Sequence, residues 1–121
     1  MPTNGEIERI LPLTPALFHV LLALADGEKH GYAILKDVSL RTGGEVTLSS
    51  GTLYGIIKRL HTDGMIEECK RRPAAKLDDE RRIYYRLTTI GRQVAVAEAE
   101  RHEKIVALAR SKHLFRKPST A

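Results

Sequence analysis

The sequence predicts an α+β fold, mostly α. Three observations carry that prediction. Three segments repeat apolar residues at helical spacing and each stops at a glycine; two later segments alternate with a period of two; a final long stretch returns to the helical period. The order is helix, helix, short strand, helix, hairpin, long helix. That is the arrangement of a winged helix-turn-helix followed by a long C-terminal dimerisation helix.

Residues 1–13 read as a flexible N-terminal lead-in, and residues 14–88 as the winged helix domain. Thr14-Pro15 starts the first helix, with Thr as the cap and Pro in the first turn, where its missing N–H is no loss. Leu17, Val20, Leu21, Leu24 and Ala25 then fall on one face, and Asp26-Gly27 ends it. A second helix runs from residue 30 or 31 to residue 41, with Tyr32, Ile34, Leu35 and Val38 on its apolar side and Gly43-Gly44 after it. Val46-Thr47-Leu48 is β-prone and reads as a brief strand. The third helix spans residues 50–63. Leu53, Ile56, Ile57 and Leu60 recur at i, i+3, i+4 and i+7, which makes one stripe core. Residues 65–72 and 82–87 form the strands of a hairpin, and the polar residues 73–81 form its tip. Ile83, Tyr85 and Leu87 share one face of the second strand and Tyr84 and Arg86 the other, so one of Tyr84 and Tyr85 packs inward. Thr88 or Thr89 caps the last helix, over residues 89–113, and residues 114–121 read as a flexible tail.

The chain has 121 residues, 42% of them hydrophobic, enough for one domain with a packed core. No apolar run is long enough to cross a bilayer, and no membrane partner is expected. The first thirteen residues carry Glu6 and Glu8 and lack the basic start of a secretory leader. A single cysteine, Cys69, excludes an internal disulfide, and a cytoplasmic protein is the expectation. The net charge of +5 suits a polyanion, nucleic acid or an anionic membrane surface, provided the cations gather on one element.

They gather on the third helix and the hairpin. Opposite its core stripe the third helix carries Ser50, Thr52, Tyr54, Gly55, Lys58 and Arg59. Its small polar start, Ser49, Ser50, Gly51 and Thr52, lets the helix end approach a surface, where backbone N–H groups and hydroxyls suit phosphates and base edges. Tyr54 can reach a phosphate or a sugar; the alternative is a ring lying flat over a neighbouring helix. The hairpin holds Lys70, Arg71, Arg72, Lys76, Arg81 and Arg82, which suit a wing along a phosphate backbone. Asp78, Asp79 and Glu80 offset part of that charge and could pair locally with Arg81 and Arg82.

The segments HGYAI (30–34), LSSGTLYGIIKRLHTDGMIE (48–67) and DDERRIYYRLTTIGR (78–92), followed by an Ala/Glu-rich helix, resemble the PadR family of bacterial transcriptional regulators. The resemblance covers most of residues 12–110. It implies a winged helix-turn-helix that binds double-stranded operator DNA as a homodimer, usually as a repressor, often released by a small-molecule effector. On that pattern Gly51-Thr52-Leu53-Tyr54 opens the recognition helix, with Leu53 packing inward and Thr52 and Tyr54 facing DNA. Lys58 and Arg59 reach phosphates, and Tyr32 matches the family's backbone-contacting position. For Tyr32, packing beneath the third helix is the alternative. Many family members carry a C-terminal domain of several helices, whereas this chain has one, which places it in the short subgroup. It has no Trp, so the stacking tryptophans of the drug-binding short members are absent.

The last helix, roughly 35 Å long, places Ile90, Val94, Ala97, Arg101, Ile105 and Leu108 along an imperfect seam. So small a domain cannot cover it, and a second copy in a two-fold dimer is the simplest partner. The alternative is a helix folded back on the first helix of its own chain. A dimer would set two recognition helices about 34–36 Å apart, one turn of DNA. No cofactor or catalytic constellation is evident: the five histidines are dispersed, and Glu98 with His102 makes no metal site without further ligands. Enzymatic activity is therefore not expected. A winged helix that docks a protein, or one that binds double-stranded RNA, are the competing readings.

Overall fold

The computed structural model describes residues 3–69 and 83–116. Its helices are α1 (Asn4–Ile10), α2 (Pro15–Leu24), α3 (Gly31–Arg41), α4 (Ser50–Thr62) and α5 (Thr89–Ser111). Three short strands, β1 (Lys29–His30), β2 (Ile66–Cys69) and β3 (Tyr84–Leu87), form an antiparallel sheet in the order β1-β3-β2.

The helices begin where the sequence places hydroxyl or imidazole caps. Thr14 accepts from the Leu17 N–H and Ser49 from the Thr52 N–H, at 3.2 and 3.1 Å. His30 caps α3 through Nδ1, 3.1 Å from the Ala33 nitrogen. The inward faces then converge. Leu17, Val20, Leu21 and Leu24 of α2 meet Ile34 and Val38 of α3, Leu53, Ile57 and Leu60 of α4, Ile66 and Tyr85 of the sheet, and Val94 of α5. Each such side chain contributes about 1.5–3 kcal/mol when fully buried. α4 ends as its sequence directs: Gly64 turns at φ 76°, and the Met65 N–H donates back to the Leu60 carbonyl at 2.9 Å.

Three expectations change. The lead-in contains α1, whose Ile7 is buried and which packs against α5. Thr3 caps it by accepting from the Glu6 N–H, a Thr-x-x-Glu signature. Val46-Thr47-Leu48 is not a strand. Thr42 holds this loop instead, its Oγ1 accepting from the Val46 N–H at 3.0 Å. The third strand is β1, two residues long, pairing Lys29 with Tyr85 and His30 with Tyr84 of β3.

The last helix has two regimes. Gly91, Val94, Ala95 and Glu98 are buried against the chain's own core, where α5 meets α1 and α2. His102 still meets the Phe18 ring at 5.1 Å, and beyond it Ile105, Val106 and Leu108 are exposed. Val94, placed on the sequence-predicted seam, is therefore corrected to an internal core residue with 0% of its surface exposed. Ile90 and Ala97 are partly buried beside it.

Candidate nucleic-acid interface

The outer face of α4 is built from what its inner face does not use. With Leu53, Ile57 and Leu60 locked in the core, Ser50, Gly51, Tyr54, Gly55 and Lys58 share the opposite, exposed side. Ser49 is partly spent on the cap: besides accepting from the Thr52 N–H it donates to the Thr52 hydroxyl at 2.9 Å. Nothing in the chain lies within 4 Å of a side chain added at Gly51 or Gly55. A glycine in a helix interior costs about 1 kcal/mol relative to alanine, and no internal packing explains Gly55. It leaves a smooth patch on the exposed side of the helix. Arg59 stands beside this face with Asp63 3.9 Å away, both well exposed, a loose pair that leaves the guanidinium free to change partner.

Tyr54 both contacts a neighbouring helix and keeps an exposed side. Its hydroxyl rests on the backbone of Gly31, so close that a Cβ there would lie 2.6 Å from it, yet half of the residue remains exposed. Tyr32 is exposed rather than packed beneath α4. Its ring stacks against His30 at 6.4 Å with 8° between planes, and Lys36 Nζ sits 5.5 Å from its centroid. His30 in turn meets Tyr84 edge-on at 5.4 Å. One aromatic and cationic patch thus joins the start of α3, the first half of α4 and the root of the hairpin. His30 and Lys36 join this patch without having been singled out from the sequence, and Gly55, placed on the outer face of the third helix, proves to be open there. An imidazole at a cap is the signal that could have found His30.

Within the hairpin, Tyr85 is the buried tyrosine and Tyr84 lies at the surface of the sheet. Burial pushes the Tyr85 phenol up, and Glu68 and Tyr54 nearby push the same way. Across the strands Arg86 meets Glu67 at 3.0 Å. Lys29 is not part of the free charge, because Nζ donates to the Ala23 carbonyl and to Asp26 at 2.5 and 2.6 Å. That hydrogen bond is the main cause of a lowered Asp26 pKa. The sequence-predicted wing cations Arg71, Arg72, Lys76, Arg81 and Arg82 lie outside the described residues.

The predicted seam divides. Ile105 and Leu108 are bare, whereas Arg101 turns back and donates to Glu98 at 2.5 Å. Glu98 is fully buried. Burial alone raises its pKa, but the Arg101 hydrogen bond, the Leu13 N–H at 2.7 Å and the nearby His102 outweigh it, and the net shift is downward. Beside this point a groove of about 720 Å³ runs between α1 and α5, lined by Ile7, Leu11, Val96 and Ala97 with Arg92 and Lys104 among its polar residues. Among the described residues no helix is long and apolar enough to cross a membrane.

Comparison with known proteins fits this geometry. Residues 20–97 match the transcriptional regulator PadR-like family. An uncharacterised protein of Lysinibacillus sphaericus is 29% identical over 73 residues, which cover 60% of this chain; the chain spans 64% of the length of that relative. Among solved structures, a transcriptional regulator from Clostridium thermocellum is 22% identical with a TM-score of 0.64, covering 92% of this chain and 97% of its own. A PadR family regulator from Clostridium difficile is 23% identical with a TM-score of 0.65, covering 78% and 94%. Bordetella bronchiseptica BpsR, whose DNA binding is regulated by 6-hydroxynicotinic acid, is 23% identical with a TM-score of 0.63, covering 92% and 75%. At these identities the structures establish a shared winged helix fold.

Proposed function

Because this chain belongs to the PadR-like family of transcriptional regulators, and so to DNA-binding regulators, we propose that it reads operator DNA sequence-specifically as a homodimer and acts as a repressor. The observation that carries the reading is the outer face of α4. It is small at its tip, smooth at Gly51 and Gly55, aromatic at Tyr54, whose ring rests on Gly31 and stays half exposed, and cationic at Lys58. A major groove admits an α-helix and offers base edges to its first turns. Ser50 and Thr52 face those edges, and Tyr54, Tyr32 and Lys58 reach the flanking backbone. Arg59 joins them by exchanging Asp63 for phosphate. The sequence-predicted wing cations Arg71, Arg72, Lys76, Arg81 and Arg82 supply charge suited to the adjoining phosphates.

The second copy meets the bare half of α5 through Ile105, Val106 and Leu108, with Ile90, Ala97 and Arg101 closer to the domain. Pairing there sets two α4 helices on one side of the dimer, and a dimer seated on an operator obstructs transcription. A small-molecule effector that enters between α1 and α5 would release it by favouring a different spacing of the reading heads.

Selection from a random duplex pool, followed by fluorescence anisotropy across salt concentrations, tests the reading. The expected result is an enriched sequence bound with an affinity that falls steeply with salt. Arg71→Ala should weaken all duplexes alike and lower the salt slope by about 1. No enriched sequence, or affinity indifferent to salt, would instead mark the chain as a protein-docking module. Preference for duplex RNA over DNA would exclude major-groove reading.

A further inference from the structure

Besides the shared core, the recognition helix and the long helix are tied by hydrogen bonds at the end of α4. The main neighbours of α4 are α3 and β2, while those of α5 are α1, α2 and β3. They meet where α4 ends. After the Gly64 turn, the carbonyls of Gly64 and Met65 face the start of α5, and Thr88 takes both. Its Oγ1 donates to the Gly64 carbonyl at 2.6 Å, and its backbone N–H donates to the Met65 carbonyl at 3.0 Å. The same Oγ1 accepts from the Gly91 N–H at 3.0 Å, which caps α5. Gly91 closes the contact from the other side. A Cβ there would stand 1.9 Å from the Met65 oxygen, so the first turn of α5 lies directly on the backbone that leaves α4. One hydroxyl therefore both starts α5 and ties it to the last turn of α4.

We propose that Thr88 is a positioning residue that sets the separation of the two recognition helices, so that preference for half-site spacing is determined at this clasp, away from the DNA surface. The inference rests on the dimeric, operator-binding reading given above. Two copies that meet through α5 place each α4 relative to the two-fold axis only as firmly as α4 is joined to α5. Moving one half-site by one base pair displaces it by about 3.4 Å and turns it by about 35°. Helices held by a rigid joint cannot follow both changes, whereas helices on a loosened joint can.

Thr88→Val keeps the shape and removes the hydroxyl, losing the cap and the bond to Gly64 together. Thr88→Asp separates the two roles: a carboxylate is a good helix cap but has no proton to give the Gly64 carbonyl. Thr88→Ser keeps both. The full-length chain is used throughout, with duplexes selected by the wild type and remade with the half-sites one base pair closer or farther apart. The wild type and Thr88→Ser should each lose about tenfold or more in affinity on either shift, a size typical of coupling between sites. Thr88→Val and Thr88→Asp should lose about threefold or less while binding an isolated half-site as the wild type does. Val20→Ala, a core change far from the clasp, should retain the wild-type profile. A wild-type spacing profile in Thr88→Asp, or a flattened one in Val20→Ala, overturns the inference. A wild type that selects only a single half-site overturns the dimeric reading itself, and does so before any variant is made.

Discussion

Two helices of this molecule leave a face uncovered, and the two bare faces differ in kind. That of α4 is hydroxyl, glycine, tyrosine and lysine, offering little apolar surface and several groups that suit an anion. That of α5 beyond Glu98 shows Ile105, Val106 and Leu108 beside charged residues, which suits another protein surface. The difference assigns a partner chemistry to each end of the molecule. On the dimeric, operator-binding reading proposed above the two faces act together. A basic patch alone binds any duplex weakly, and duplication through an apolar seam turns two weak contacts into one strong one.

The comparison breaks most severely at the seam. Leu108→Asp alters an exposed residue, so the fold should persist by circular dichroism. Light scattering should then show a monomer, and operator affinity should fall by about a hundredfold or more as the second contact is lost. A dimer that survives Leu108→Asp would put the pairing surface elsewhere. Gly91→Ala comes next, because it strikes the joint between the two faces. The added methyl meets a backbone carbonyl that cannot move aside, and urea unfolding should report a loss of about 3 kcal/mol or more.

Glu98 marks the point where α5 passes from core to bare helix. Glu98→Gln should cost about 2 kcal/mol at neutral pH, through weaker bonds to Arg101 and the Leu13 N–H. The sign of its pH dependence follows from a folded-state pKa below the ordinary 4.5. The carboxylate's contribution is fully present above 4.5 and is lost as pH falls through the depressed value. The stability gap between wild type and Glu98→Gln, followed by urea midpoints from pH 7 downwards, should therefore narrow in acid. The smallest effect separates the α4 face from ordinary surface. Gly55→Gln fills open space and improves helix propensity, so stability should rise by about 0.5–1 kcal/mol while operator affinity falls about tenfold. Unchanged affinity would remove Gly55 from the docking face.

Much of this was legible in the sequence, for reasons particular residues make clear. The α4 stripe of Leu53, Ile56, Ile57 and Leu60, with Ile56 only half-buried, the cap at Thr14 and the cap at Thr88 or Thr89, which proves to be Thr88, are local, and local chemistry determines them. What was missed depends on contacts distant in the chain. Seven residues are too few for α1 to show a period, and its Ile7 is held by α5. Two residues, Lys29 and His30, cannot alternate, and β1 exists because β3 lies beside it. The mistaken place of Val94 follows in part from the first of these. The early half of α5 packs on α2, the fold-back that the sequence had offered as the alternative, as well as on the unseen α1, and one seam was drawn through residues with two different partners. Tyr85 over Tyr84 was undecidable until the face of β3 that packs on α2 and α5 was known.

The contact between Tyr54 and Gly31 carries a consequence for divergence within such proteins. Gly31 is buried and touches no solvent-facing patch of its own, yet its missing side chain is the seat on which the tyrosine ring rests. A larger residue at position 31 tilts that ring outward or aside, and so alters what the recognition helix presents while every residue on its outer face stays the same. On the operator-binding reading, Gly31→Ala is a substitution that DNA never meets, and it should still alter operator preference through the seat of Tyr54.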